Sequence, residues 1–339
     1  MTPKFVGSLA LAALVCVAGA IWAYQANNVF VPRGGTGEKV LPGLDAKIND
    51  VVGIVVEQGL DKLALVNKDG VWQVRDTLYP VSTVKVKKAL IGLVGLSKLE
   101  AKTANPKKYL LIDVDGPGKA NGRGRQVSLL AKGDKLLAKI VLGKTAAGKV
   151  GPGRDAQYVR VVSDETSWLA LGSVEGGANL AKWVEPRFLK LDVDSVTYGR
   201  IEIDGEKLEV RRTGKSDSGS SLFELLDIPT GRNPRTSTTI KFAATDLVNL
   251  DLLGARPLKA GNKATSRAFI ETDTGLKLAF ALVEEYGKGW VSLKVEEKGS
   301  DVKAADAIIA KTAAWEFLVA NYKRDAFKKR KTDLLYKAK

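Results

Sequence analysis

The sequence predicts an α+β protein: an N-terminal single transmembrane helix, then two tandem modules of antiparallel sheet with packed helices, the second reading as a duplicate of the first. Three observations lead there. Residues 5–24 form an apolar run without a charge, whereas the rest of the 339-residue chain is charged every few residues. Beyond that run, short stretches of β-branched and aromatic residues alternate with turn signals and are interrupted by one amphipathic stretch. That order of elements then recurs. The chain accordingly divides into a cytoplasmic tail (1–4), the transmembrane helix (5–24), a flexible tether (25–45), a first α+β module (46–193) and a second one with a C-terminal helical segment (194–339).

The apolar run has the length a membrane asks for, since roughly 20 helical residues cross a hydrocarbon core of ~30 Å. Trp22 and Tyr24 close it, where amphipathic rings favour the headgroup region. A cleaved secretory signal has a shorter apolar core followed by a small-x-small site. Ala18-Gly19-Ala20 fits such a site but lies inside the stretch, and Val15 before Cys16 is bulky for lipoprotein processing. Gly7, Ala10, Ala13 and Gly19 are small enough to admit a neighbouring helix. Lys4 precedes the run while Arg33, Lys39 and Lys47 follow it, so local charge leaves its orientation open.

Pro32, Gly34, Gly35, Gly37, Pro42 and Gly43 mark residues 25–45 as the tether. Strands are expected at 51–56, 62–66 and 71–74, with Asn67-Lys68-Asp69-Gly70 turning the second into the third. Ser82 or Thr83 caps a helix that runs to about 99, with Val86, Leu90, Leu93, Val94 and Leu96 along one stripe. Strands follow at 125–131, 136–142 and 157–162. Asp113-Val114-Asp115-Gly116 lacks the further acidic positions of a calcium loop and reads as a turn. The second copy begins with a hairpin at 199–203 and 207–210. Phe223 then stands where Trp72 stood, 247–253 is expected as helix, and strands come at 267–281 and 289–293. Residues 178–189 and 304–331 are the expected C-terminal helical pieces of the two halves.

Composition removes whole chemistries. The chain has no histidine, its one cysteine is Cys16 and its one methionine is Met1. A Ser-His-Asp triad, a Cys-His pair and a His-ligated metal are therefore excluded. Enzymatic chemistry would fall to carboxylates such as Glu185, Asp192 and Asp194, and no spacing singles out a pair. No metal or cofactor site is expected. The 53 Lys and Arg against 38 Asp and Glu leave a net charge of +15, which attracts anionic surfaces and polymers. Without a nucleic-acid motif, anionic lipid or envelope polysaccharide is the expected kind of partner rather than nucleic acid. Residues 323–331, with six basic side chains, concentrate that charge.

Motifs in a fixed order carry a family resemblance. Asp69-Gly70-Val71-Trp72-Gln73-Val74, then Tyr79-Pro80-Val81-Ser82 opening a helix, Leu142-Gly143-Lys144, Tyr158-Val159-Arg160, and Trp183 ahead of Phe188-Leu189-Lys190-Leu191-Asp192 are similar to those of the domain of unknown function 4340 family. Trp315-Glu316-Phe317 with Tyr322, and Asp333-Leu334-Leu335, complete the resemblance, which covers most of the chain after the tether. It implies a single-pass protein of the cytoplasmic membrane, its bulk on the periplasmic side, associated with gliding-motility-type ABC transporter subunits. It implies no catalytic residue and no cofactor. Trp72, Tyr79 and Trp183 read as core aromatics. The expected function is a non-enzymatic accessory or scaffold subunit of an ABC-type transport system. The alternative is a periplasmic binding module for an anionic envelope polymer or membrane surface.

Overall fold

The structure of the protein, a computed structural model, describes residues 37–146, 155–259, 261 and 263–336, together with residues 16, 17 and 19. The described residues fall into two compact units, one made of residues up to 75 with 81–178, the other of 76–80 with 179 onward.

The first unit contains β1 (Gly53–Gln58), β2 (Asp61–Lys68), β3 (Val71–Val74), α1 (Thr83–Gly95), β4 (Ser97–Thr103), β5 (Arg125–Leu130), β6 (Leu136–Thr145), β7 (Ala156–Val161) and β8 (Ser167–Leu171). All pairings are antiparallel, in the order β3-β2-β1-β5-β6-β7-β8-β4. Asp69 and Gly70, at φ 53° and 84°, form the two-residue turn that joins β2 to β3. Positive φ at both positions matches the right-handed twist of the strands, and Asn67 Oδ1 accepts the Gly70 amide at 3.0 Å. Ser82 Oγ accepts the Lys85 amide at the start of α1, which buries Val86, Ala89, Leu90 and Leu93.

The second unit contains β9 (Arg187–Lys190), β10 (Val196–Ile203), β11 (Glu206–Lys215), β12 (Ser221–Leu225), α2 (Ser237–Thr245), β13 (Asn249–Asp251), β14 (Gly254–Pro257), β15 (Ser266–Thr272), β16 (Leu276–Glu285), β17 (Lys288–Lys298), α3 (Val302–Thr312), β18 (Trp315–Val319) and α4 (Asn321–Ala326). Its main sheet runs β12-β11-β10-β15-β16-β17-β18-β14, the permutation found in the first unit, and β9 with β13 forms a separate ribbon. Eight antiparallel strands in one non-sequential order, twice, identify the units as structural repeats. Strict alternation builds the core. Ile201, Ile203, Ala268, Ile270, Leu278, Phe280, Leu282, Val291 and Leu293 are buried on one face. Helix α2 lies on that face, so close to β10 that a Cβ on Gly199 would stand 2.5 Å from the Ala244 Cβ.

These observations correct the expected fold class. The two sheet-rich modules are present, but the protein is mostly antiparallel sheet with few helices rather than α+β. Among the described residues no helix is long and apolar enough to cross a membrane. The N-terminal transmembrane helix is therefore not found, and the run 5–24 lies outside the described residues apart from 16, 17 and 19. Residues 178–189 hold a 3-10 turn at Leu180–Lys182 and then strand β9, not a helix. The segment 304–331 is broken by β18, because Trp315–Val319 pairs with β14 on one side and β17 on the other. Residues 247–253 contain β13, while the helix comes earlier at α2, capped by Thr236. The described end of the tether is packed: Lys39 bridges Ser97 at the edge of β4, and Val40, Leu41 and Leu44 are buried.

Candidate functional site

Four of the motif residues, Gly143, Lys144, Tyr158 and Arg160, meet one short segment of the first unit. The 3-10 turn Pro106–Ile112 and the residues after it cross the face of the sheet formed by β6 and β7, and Tyr109 and Val114 pack there with Val141, Tyr158 and Leu169. Leu142, the fifth, is buried on the opposite face of β6, beside Val159. Gly143 follows because nothing larger fits: a Cβ would stand 2.2 Å from the Ile112 carbonyl oxygen. The Gly143 carbonyl accepts from Gln157 Nε2 at 3.0 Å, and Lys144 Nζ donates to the Leu111 carbonyl at 2.9 Å. Arg160 Nε donates to the Val114 carbonyl at 3.1 Å while its guanidinium lies 4.6 Å from the centre of the Tyr109 ring. Burial pushes the Tyr109 phenol up, against the opposing pull of Arg160. Each charged side chain here is spent on a backbone carbonyl, so the group works as a latch.

The remaining motif residues are also structural in their surroundings. Trp72 in β3 and Trp183 after the 3-10 turn are buried. Tyr79 and Pro80 belong to the segment that groups with the second unit. There Tyr79 meets Trp315 edge-on at 4.8 Å, and burial raises its phenol pKa. Asp192 accepts the Asp194 amide at 3.0 Å. Asp194 accepts from Lys241 Nζ at 2.9 Å and Ser221 Oγ at 3.0 Å, and these two hold its carboxyl below the usual range. Glu185 is exposed and has no part in this arrangement. The structure therefore does not assemble the three acids into a reacting pair.

The basic stretch 323–331 is likewise engaged. Lys323 donates to the Asp246 carbonyl, and Arg324 and Lys328 pair with Glu284. Lys329 pairs with Asp246, Arg330 with Asp204 and Glu206, and Lys331 donates to the Asp227 carbonyl. Burial, the largest influence, lowers the pKa of Lys323. A second network surrounds Arg256, whose guanidinium bonds Glu316 at 2.7 Å and Glu285 at 2.6 Å and lies 4.1 Å from the Trp290 ring centre. Glu316 is only 2% exposed, and Arg256 is the partner that neutralises it.

An open concavity of ligand size lies in the second unit. It occupies the sheet face opposite the core, between β15, β16 and β17 and the flank of α3, with a volume of about 570 Å³. Cross-strand register lays down its floor in two rows. One row runs Glu202, Arg267, Ala281, Ser292 and the next Arg200, Phe269, Ala279, Lys294. The two alanines keep the floor low, while Leu258, Phe269 and Ile309 provide apolar walls. Arg200 lies 4.0 Å from the Phe269 ring centre and 3.1 Å from Glu202 without hydrogen-bond alignment. Sequence reasoning missed this groove, because two alanines on alternate positions of a strand resemble any half-buried face. Comparison with family models, with curated proteins and with solved structures finds no match for this chain.

Proposed function

We propose that the protein is a non-enzymatic scaffold of the cell envelope, an accessory subunit of an ABC-type transport system that works at the cytoplasmic membrane with its bulk on the extracytoplasmic side. The observation that carries the reading is the use to which the charged residues are put. Lys144 and Arg160 bind backbone, Asp192 and Asp194 close turns and strands, and Arg256 neutralises a buried carboxylate. Such a use of charge suits two well-ordered units that present surfaces. The ordered motifs that resemble the domain of unknown function 4340 family support the transport setting, and the uncharged run 5–24 supports the membrane address.

The alternative, a module for an anionic envelope polymer or lipid surface, has the net charge of +15 in its favour. Internal pairing of residues 323–331 counts against that stretch as the contact.

Crosslinking in intact cells, extraction and mass spectrometry of the recovered complexes test the proposal. Recovery of ABC permease and ATPase subunits supports it. Recovery of polysaccharide that is released between low and physiological salt overturns it in favour of the alternative.

A further inference from the structure

The two repeats treat the same sheet face differently, and the difference leaves a site. In the first unit, Glu57, Gln126, Val141 and Arg160 stand in register across β1, β5, β6 and β7. The hairpins β1–β2 and β10–β11 align Glu57 with Glu202, so this row corresponds to Glu202, Arg267, Ala281 and Ser292. Val141 is fully buried under Tyr109 and Val114, which arrive on the connection 104–124 between β4 and β5. The corresponding connection in the second unit, 258–265, is too short to carry such a cover. Ala281 replaces Val141, and the face stays open beside α3.

We infer that this groove binds a single-chain anionic amphiphile, an aliphatic chain ending in a carboxylate or phosphate. The chain lies along the alanine floor between Leu258, Phe269 and Ile309. The head group meets Arg267 and Lys294, which flank Ala281 and Ala279 on the two neighbouring strands. Both cations are exposed, and among the described residues neither has a carboxylate partner, in a unit where most cations near them are paired. Glu202 is occupied by Arg200, which among the described residues leaves Glu296 as the one acidic side chain lining the groove against two cations without a carboxylate partner. The site stands on this geometry alone and does not depend on the scaffold reading.

The test is photolabelling of the full-length protein in intact cells, wherever in the cell it resides, with a diazirine-bearing fatty acid, followed by mapping of the labelled peptides. Label is expected on β15, β16 and α3, displaced by dodecanoate and not by dodecylamine. Ala281→Phe, which fills the groove from a half-buried position, reduces that label at least tenfold. The pair Arg267→Ser and Lys294→Ser lowers labelling by the acid about tenfold or more, the size of a lost charge-assisted hydrogen bond, and leaves labelling by the matching alcohol probe unchanged. Unchanged melting of each variant shows that it is folded, and Ala279→Leu replaces Ala281→Phe where that variant does not fold. Label confined to residues 5–24, equal displacement by the amine, or labelling by a diacyl phospholipid probe in place of the fatty acid overturns the inference.

Discussion

Single residues fix the closest approaches, and their substitution has sharp consequences. Gly143→Ala drives a methyl group to 2.2 Å from the Ile112 carbonyl oxygen and 2.9 Å from that of Asp113, so the backbone itself must shift. The expected cost is on the order of 3 kcal/mol, read as a lower denaturation midpoint with an unchanged slope. Tyr198 donates to Glu209, and burial first, then that carboxylate, pushes its phenol pKa up to about 12. A pKa raised in the folded state means that the native protein holds this proton more tightly. Its contribution is complete below the unfolded value of about 10 and is lost as pH rises toward the folded value. Stability measured from pH 9 to 12 should therefore fall across that interval, and Tyr198→Phe should flatten the part due to this group. None of this was visible in sequence, since the Gly143 collision comes from a segment some thirty residues away in the chain and the Tyr198 partner from a neighbouring strand.

At the level of elements, legibility followed locality. The α1 helix was readable because its cap, Ser82, and its buried stripe, Val86, Leu90 and Leu93, lie within one continuous window. The β2–β3 turn was readable for the same reason. Strands β13, β14 and β18 were not, being three to five residues long and specified by partners far along the chain. Helix α2 was hidden by its Ser-Thr-Thr-Ile opening, which has weak helical propensity and relies on packing against β10. Strand β14 depends on Arg256 and Glu316 across its pairing with β18. Arg256→Leu alone strands a buried carboxylate and should cost about 3–5 kcal/mol, whereas Arg256→Leu with Glu316→Leu should recover most of the loss. Urea melts of the two single variants and the double variant measure the coupling. Equal destabilisation in single and double variants would show that the pair carries no such debt.

For the whole molecule, duplication was legible from turn positions and element order, but the permutation shared by the two sheets was not, because it depends on which non-consecutive strands pair. The groove was illegible for a related reason: it exists only as a difference between two aligned repeats. The overall charge makes a separate prediction. With +15 spread over the surface, association with anionic vesicles should weaken steeply from low to physiological salt, as a sedimentation assay would show, and salt-independent binding would point to an apolar contact instead.

Residues 37–40 give the first repeat a mechanical property. They enter the body along the outer edge of β4, where the Gly37 amide donates to Lys98, the Lys98 amide to Glu38 and the Val40 amide to Leu96. The start of that strand edge, which would otherwise offer free amides and carbonyls to a foreign chain, is closed by residues 37–40. Tension applied through the residues before 37 falls first on these bonds. Pulling hard enough to part them would bare the start of the β4 edge, so force on the N-terminal side and strand addition there are coupled through four residues.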